Sequence, residues 1–264
     1  VLEFGARKRG DIKTLCRLYK PTVGVVTGAC PQHLSTFGSF ANVLKAKREL
    51  VECIPDGGFC VLNTQDKSVA RFVNAGICKK VPAGKGVRAE VKSRTLMGTT
   101  LVVSSRGKTA EVTLPQFADY AAQTYKTCFT VCNCLNQPFD VTIVNSAKIK
   151  QVPHRMQVTH NGVYHIVDDS YNADISGVKS CCKAVRPFDC VKVAIAQGIV
   201  ECGESKRSLN VTTGELLGQT FTLTVVLGKN AKYLIEGLKN VNGKYVVAQN
   251  LKQAVQIANR YLSK

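Results

Sequence analysis

Acidic side chains are scarce in this sequence: 18 Asp and Glu stand against 36 Lys and Arg over 264 residues, a formal charge of +18. Such an excess favours polyanionic company (nucleotides, nucleic acid or anionic lipid) and bears on solubility and nonspecific binding rather than on fold. Other absences narrow that company. No helix-turn-helix pattern, paired Cys/His finger or RNP-like aromatic string occurs, so no specific nucleic-acid partner is expected. No apolar run reaches membrane-spanning length and no charged-then-apolar leader opens the chain, so no membrane span and a cytoplasmic location are expected. The glycine-rich fingerprints G-x-G-x-x-G and G-x-x-x-x-G-K-[ST] are both missing. Internal repeats and low-complexity segments are missing as well. The chain opens on Val1 rather than Met, and a fragment or processed piece is expected.

What is present suits a globular protein. A hydrophobic fraction of 45% over 264 residues supplies a sizeable core in one large or two ordinary domains. The twelve cysteines include Cys16, Cys53, Cys78 and Cys190 on apolar faces, where reduced thiols are expected. Cys128, Cys132 and Cys134 form the tightest group. No second ligand pair stands at zinc spacing from them and no His is near in sequence, so zinc is not expected.

Short apolar runs alternate with helical patterns. Val1–Phe4 reads as a strand, then a helix from about Gly10 buries Ile12, Leu15, Cys16 and Tyr19. Val23–Thr27 is a buried strand, and a helix capped near Ser39 runs through Leu50. Phe59–Asn63 is a strand and Lys67–Ile77 a helix. Residues 79–113, rich in Lys and Gly, read as an antiparallel excursion, and 117–150 as helical. Pro153 marks a boundary. A second series follows: strand Val163–Val167, helix Ile175–Val185, strand Val191–Ala196, strand Phe221–Leu227, a helix capped by Asn230, strand Lys244–Val247 and a last helix with Leu251, Ala254, Val255, Ala258 and Leu262 on one face. The expected class is α/β, with a mostly parallel sheet in residues 1–150 and a Rossmann-like unit in 151–264.

Ligands of open parallel sheets sit beyond the carboxyl ends of the strands. Glu3, His33 after Thr27, and the pair Asp168–Asp169 fall at such ends. Each also has a local reading: a surface carboxylate, a helix start, and a solvated turn in which Asp169 or Ser170 caps the next helix. Lys47 can belong to a basic face with Lys45 and Arg48. Together they supply oxygen and nitrogen ligands for a hard divalent cation, with Lys and Arg for phosphate.

The order of these residues resembles the Mur ligases. The stretch "EFGARKRGDI…LYKPTVGVVTGACPQHLSTFGSFANVLKAKREL" is similar to their central domain, and "PHRMQV…DDSYNA" to the start of their C-terminal domain. The Asp-Asp-Ser-Tyr-Asn form is that of the branch adding D-alanyl-D-alanine to UDP-N-acetylmuramoyl tripeptide, and "GIVECG" (198–203) fits the loop after the next strand. The resemblance spans nearly the whole chain. It implies an ATP-dependent ligase of peptidoglycan precursor synthesis that phosphorylates a carboxylate and passes the acyl group to an amine. It implies Glu3 and His33 on Mg2+, Lys47 as a carbamylated lysine, and Arg155 at ATP phosphate. Asp168 and Asp169 would face ATP and magnesium when the two domains close, with Ser170, Tyr171 and Asn172 near the acceptor dipeptide. A monomer is expected.

The sequence also departs from the family. The phosphate-cradling loop, which the family carries ahead of the position matching Val1, does not occur. Residues 118–122 read "ADYAA" where an adenine-contacting His-Asn-x-x-Asn is expected, and Asp174 replaces an Asn after "DDSYNA". The family's final strand and glycine-containing tail are not found before Lys264. A non-catalytic protein of the same scaffold, binding a polyanion through its basic surface, is the alternative these departures leave open.

Overall fold

The computed structural model describes residues 1–118 and 120–263; Asp119, within the expected adenine segment, and Lys264 lie outside the described residues. The chain divides into two compact units, Val1–Asp168 and Asp169–Lys264.

In the first unit, α1 (Asp11–Tyr19) leads to β1 (Val23–Val26), the short α2 (Leu34–Phe37) and α3 (Phe40–Cys53). Ser39 caps α3 through its hydroxyl, which accepts from Asn42 N. Then come β2 (Phe59–Leu62), α4 (Lys67–Ala70) with a 3-10 turn over Arg71–Asn74, and β3 (Lys79–Pro82). Strands β1, β2 and β3 form a parallel sheet in that order. Val26, Cys60 and Leu62 pack under Val51 and Ile54 from the end of α3 and against Val69 and Phe72. A three-stranded antiparallel sheet follows, β4 (Arg88–Thr95), β5 (Gly98–Ser105) and β6 (Lys108–Leu114). The helices α5 (Ala121–Cys134) and α6 (Phe139–Ser146) cover it through Tyr125, Phe129 and Phe139. The antiparallel excursion expected over residues 79–113 is thus confined to β4–β6, since β3 at its start joins the parallel sheet.

The hairpin β7 (Gln157–His160) and β8 (His165–Asp168) completes the unit. Two expectations change here. The apolar run Val163–Val167 pairs antiparallel with its immediate neighbour instead of opening a parallel sheet. Residues Val1–Phe4 carry no strand: Val1, Leu2 and Glu3 are exposed, and no described strand hydrogen-bonds to them.

The second unit contains α7 (Ile175–Val185), β9 (Val193–Ala196), α8 (Lys206–Gly218), β10 (Leu223–Val226), α9 (Ala231–Asn240), β11 (Tyr245–Val247) and α10 (Leu251–Leu262). Its sheet is parallel in the order β11-β10-β9. The central strand shows the two-residue period directly. Val226 packs with Leu234 and Leu238 of α9 and Leu217 of α8, while Leu223 and Val225 pack with Ala254 of α10. Helices therefore cover both faces, and a three-layer Rossmann-like unit results.

Candidate active site

Three chain segments meet around a small apolar cluster in the first unit. Phe37 from α2 and Val43 and Ala46 from α3 are buried together, with Ala6, Leu34 and Phe40 against them. Each expected site residue there is a short step from one of these anchors: Glu3 precedes Ala6, His33 adjoins Leu34, and Lys47 adjoins Ala46. On α3, Lys47 stands one turn after Val43 and one turn before Val51, so helical geometry puts it beside the apolar stripe, where it is half-buried.

A concavity of about 760 Å³ opens next to this cluster, lined by Gly5, Ala6, Arg7, Lys8, Asp11, His33 and Thr36. Its wall is a built loop. Asp11 Oδ2 accepts from Arg7 N at 2.9 Å and from Lys8 N at 3.0 Å, and these bonds hold the Asp11 carboxyl below the ordinary carboxylate value. Glu49 of α3 accepts from Gly10 N at 2.8 Å and Lys13 N at 3.0 Å, satisfying backbone donors at the start of α1. His33 adopts φ of 50° at the start of α2, a left-handed backbone uncommon outside glycine. The structure brings His33 and the residues following Glu3 to one cationic concavity; Glu3 and Lys47 are not in its lining.

Arg155 lies on the turn before β7, flanked by His154 (φ 58°) and Met156 (φ 48°). Two consecutive anchors hold that backbone. Met156 is buried, and His154 Nδ1 lies 2.7 Å from Asp168 Oδ2. Asp168, expected beyond the end of a parallel strand, thus ends a hairpin with its carboxylate engaged at the hairpin base.

In the second unit, Asp169 to Asn172 form the loop ahead of α7, with Ser170, Tyr171 and Asn172 exposed and Asp169 half-buried. Neither Asp169 nor Ser170 caps α7: Asp174 does, accepting from Ser176 N at 2.8 Å and Gly177 N at 2.9 Å. Replacing the family's Asn by Asp keeps a strong N-cap, so this departure costs the helix start nothing. Asp169 instead stands over the first turns of α7. A Cβ on Gly177 would sit 4.0 Å from its Oδ2. The Cys181 thiol is pushed up to about 12 by burial, with Cys182 and then the Asp169 charge adding to it.

The loop 198–203 is fixed by two buried amides that its local sequence does not announce. Asn210 Oδ1 accepts from Ile199 N at 2.7 Å and its Nδ2 donates to Ile199 O at 3.0 Å; Asn230 Nδ2 donates to the same carbonyl at 2.7 Å. Gly198 (φ 81°) lies against them, and a Cβ there would meet Asn210 Oδ1 at 2.3 Å.

Among the described residues no three His, Cys, Asp or Glu side chains gather into a metal cage. One carboxylate and one imidazole are a donor set for a magnesium ion that takes its other ligands from water and nucleotide phosphate. All twelve cysteines carry free thiols.

Parallel sheets flanked by helices in both units define the chain as an α/β protein of the nucleotide-fold type. It belongs to the Mur ligase family, whose middle-domain model matches residues 1–132. The UDP-N-acetylmuramoyl-tripeptide–D-alanyl-D-alanine ligase of Escherichia coli is 24% identical over 224 residues, 81% of this chain and 49% of that relative. The ligase of the same name from Mycobacterium tuberculosis is 27% identical over 192 residues, 70% of this chain and 38% of its own length. The chain therefore spans about half the length of these relatives or less. A crystal structure of MurF from Acinetobacter baumannii superposes over 100% of this chain and 58% of that one, with TM-score 0.89 and 19% identity. MurF from Thermotoga maritima, solved in complex with ADP, covers 100% of this chain and 67% of its own, with TM-score 0.79 and 21% identity. The fold is that of these structures.

Proposed function

We propose that these residues are about half of an ATP-dependent ligase that joins D-alanyl-D-alanine to a UDP-N-acetylmuramoyl peptide in the cytoplasm, working as a monomer. The observation that carries this is the run Asp168–Asn172 directly ahead of a properly capped α7, in a chain whose relatives in two bacterial groups bear that activity in their names. In functional terms residues 1–150 supply the central domain and residues 151–264 the C-terminal one.

The chemistry assigned to the side chains follows from their types and places. ATP gives its γ-phosphoryl group to the substrate carboxylate, and the dipeptide amine then displaces phosphate from the acyl phosphate. Glu3 and His33 would hold magnesium, which supplies charge neutralisation for the transferred phosphoryl oxygens. Half-buried Lys47, once carbamylated, would turn from cation to anion and help to order the magnesium. Arg155, on a turn fixed at both neighbours, would bind phosphate. Asp169 is assigned to ribose or the metal's water shell, and exposed Ser170, Tyr171 and Asn172 to the dipeptide. Arg7 and Lys8 add positive potential at the mouth of the concavity, attracting anionic substrate.

Amine preference tests the reading. The protein as encoded from its start codon, given ATP, magnesium and a UDP-muramoyl tripeptide, is expected to form the pentapeptide product with D-alanyl-D-alanine and little product with single amino acids. Product with a single amino acid and none with the dipeptide would refute the assignment.

A further inference from the structure

The contact between α1 and α3 carries a feature that the proposed ligase chemistry does not use. Glu49 binds the backbone of Gly10 and Lys13, which fixes the register of the two helices. One turn further along α3 comes Cys53, its last residue, and one turn further along α1 comes Cys16. The steps advance about 4.5 Å and about 6 Å, and the helices run the same way past each other, since Ala6 packs against Val43 and Ala46 and Gly10 and Lys13 follow at Glu49. The two thiols are thereby brought side by side at the contact between α1 and α3.

We propose that Cys16 and Cys53 form a redox-sensitive modification site, closing to a disulfide that latches α1 onto α3 when a hydroperoxide is present. The two sulfurs differ in access. Cys16 is buried, whereas Cys53 is half-exposed at a helix terminus, where the backbone can shift to reach disulfide geometry. Cys53 is thus the first to react: its thiolate attacks the peroxide oxygen, releasing water after proton uptake and leaving a sulfenic acid. The Cys16 sulfur then attacks the Cys53 sulfur, the Cys16 proton leaves with the departing hydroxide as a second water, and the S–S bond forms. Two thiols lose two electrons in all, and one peroxide becomes two waters. Burial first, and then Cys53 beside it, push the Cys16 thiol up to about 12. That keeps Cys16 unreactive until its partner has been oxidised.

Other cysteines provide internal comparison. Cys60 and Cys78 are both buried beneath β2 and β3, and Cys181 and Cys182 are sequence neighbours on α7. None of these four combines an exposed first sulfur with a buried partner across two helices of fixed register.

The test uses the whole reduced chain and hydrogen peroxide near stoichiometric amounts. Free thiols are then blocked with N-ethylmaleimide, and non-reduced peptides are mapped by mass spectrometry. The expected product is one peptide pair joined through Cys16 and Cys53, two hydrogens lighter than the separate peptides and split by dithiothreitol. Thermal unfolding of the oxidised chain is expected to shift upward by roughly 5 °C, from the restriction placed on the unfolded chain. In Cys53→Ser, with circular dichroism matching the parent, both the cross-link and the shift should vanish. Recovery of Cys16 and Cys53 as separately blocked thiols while other cysteines cross-link would overturn the proposal. So would oxidation of Cys53 to sulfinic acid without any link to Cys16.

Discussion

His154 Nδ1 sits 2.7 Å from Asp168 Oδ2, tying the turn that presents Arg155 to the end of the hairpin that follows it. Both partners retain solvent contact, so the pair contributes order to the hairpin more than stability to the whole. Asp168→Ala is expected to change global stability by less than about 1 kcal/mol. It should raise amide hydrogen exchange several-fold across residues 157–168, which exchange mass spectrometry reads. Loss of several kcal/mol in a denaturant titration, with exchange in the hairpin unchanged, would contradict this.

Gly198 has no room for a side chain where it meets Asn210. Alanine there must take a left-handed backbone and push its Cβ to 2.3 Å from Asn210 Oδ1. Gly198→Ala is expected to cost at least about 2 kcal/mol. Asn210→Leu, which leaves Ile199 N unpaired and removes one of the two donors to Ile199 O, is expected to cost roughly 2–3 kcal/mol, the cost of a buried unpaired backbone N–H. Urea titrations of the two variants check the pair. Asn210→Leu without measurable loss would show that the loop 198–203 is held by something else.

Acid should loosen the loop over residues 5–8 before the rest of the first unit. Asp11 is held below the ordinary carboxylate value by the Arg7 and Lys8 amides. A carboxyl depressed in the folded state adds stability above its unfolded value and loses it as pH falls through the folded one. The effect therefore lies below about pH 4. Amide exchange at Arg7 and Lys8 is expected to accelerate there, beyond the change in intrinsic rate, and Asp11→Asn is expected to remove that dependence. Exchange at Arg7 and Lys8 in the parent that changes between pH 6 and pH 3 by no more than the intrinsic rate would contradict it.

Much of the architecture was legible because the signals are local. Ser39 caps α3, and Ala254 and Ala258 of the expected face of α10 are buried, although Leu251 and Val255 of that face are exposed. Three elements escaped for identifiable reasons. The run Val163–Val167 looks like a parallel strand until the turn before it is weighed. Asn161-Gly162 is a hairpin signal, and Asn161 Oδ1 accepts from Val163 N and Tyr164 N. Val1–Phe4 has strand composition, but pairing with a neighbour defines a strand, and none of the described strands supplies it. The helix over Lys67–Ile77 stops early because Gly76 (φ 59°) passes so near α3 that a Cβ would meet Val51 O at 2.4 Å. In the candidate site, Glu3, His33 and Lys47 stood out as residue types near strand ends and on a basic face, and family resemblance gave them roles. Their common anchor, the Phe37–Val43–Ala46 cluster, is a tertiary fact that no spacing reveals.

Ligation of D-alanyl-D-alanine to a UDP-muramoyl tripeptide, followed by product mass, tests the central claim most directly. The assay compares the 264 residues alone, the protein as encoded from its start codon, and that protein carrying Lys47→Ala. The 264 residues contain no G-x-x-x-x-G-K-[ST] loop, and phosphoryl transfer without a backbone cradle for the β- and γ-phosphates forfeits its alignment. No turnover is expected from them. ATP-dependent turnover is expected from the protein as encoded, falling at least about 100-fold in Lys47→Ala. Full turnover in Lys47→Ala, or none in the protein as encoded, would contradict the account.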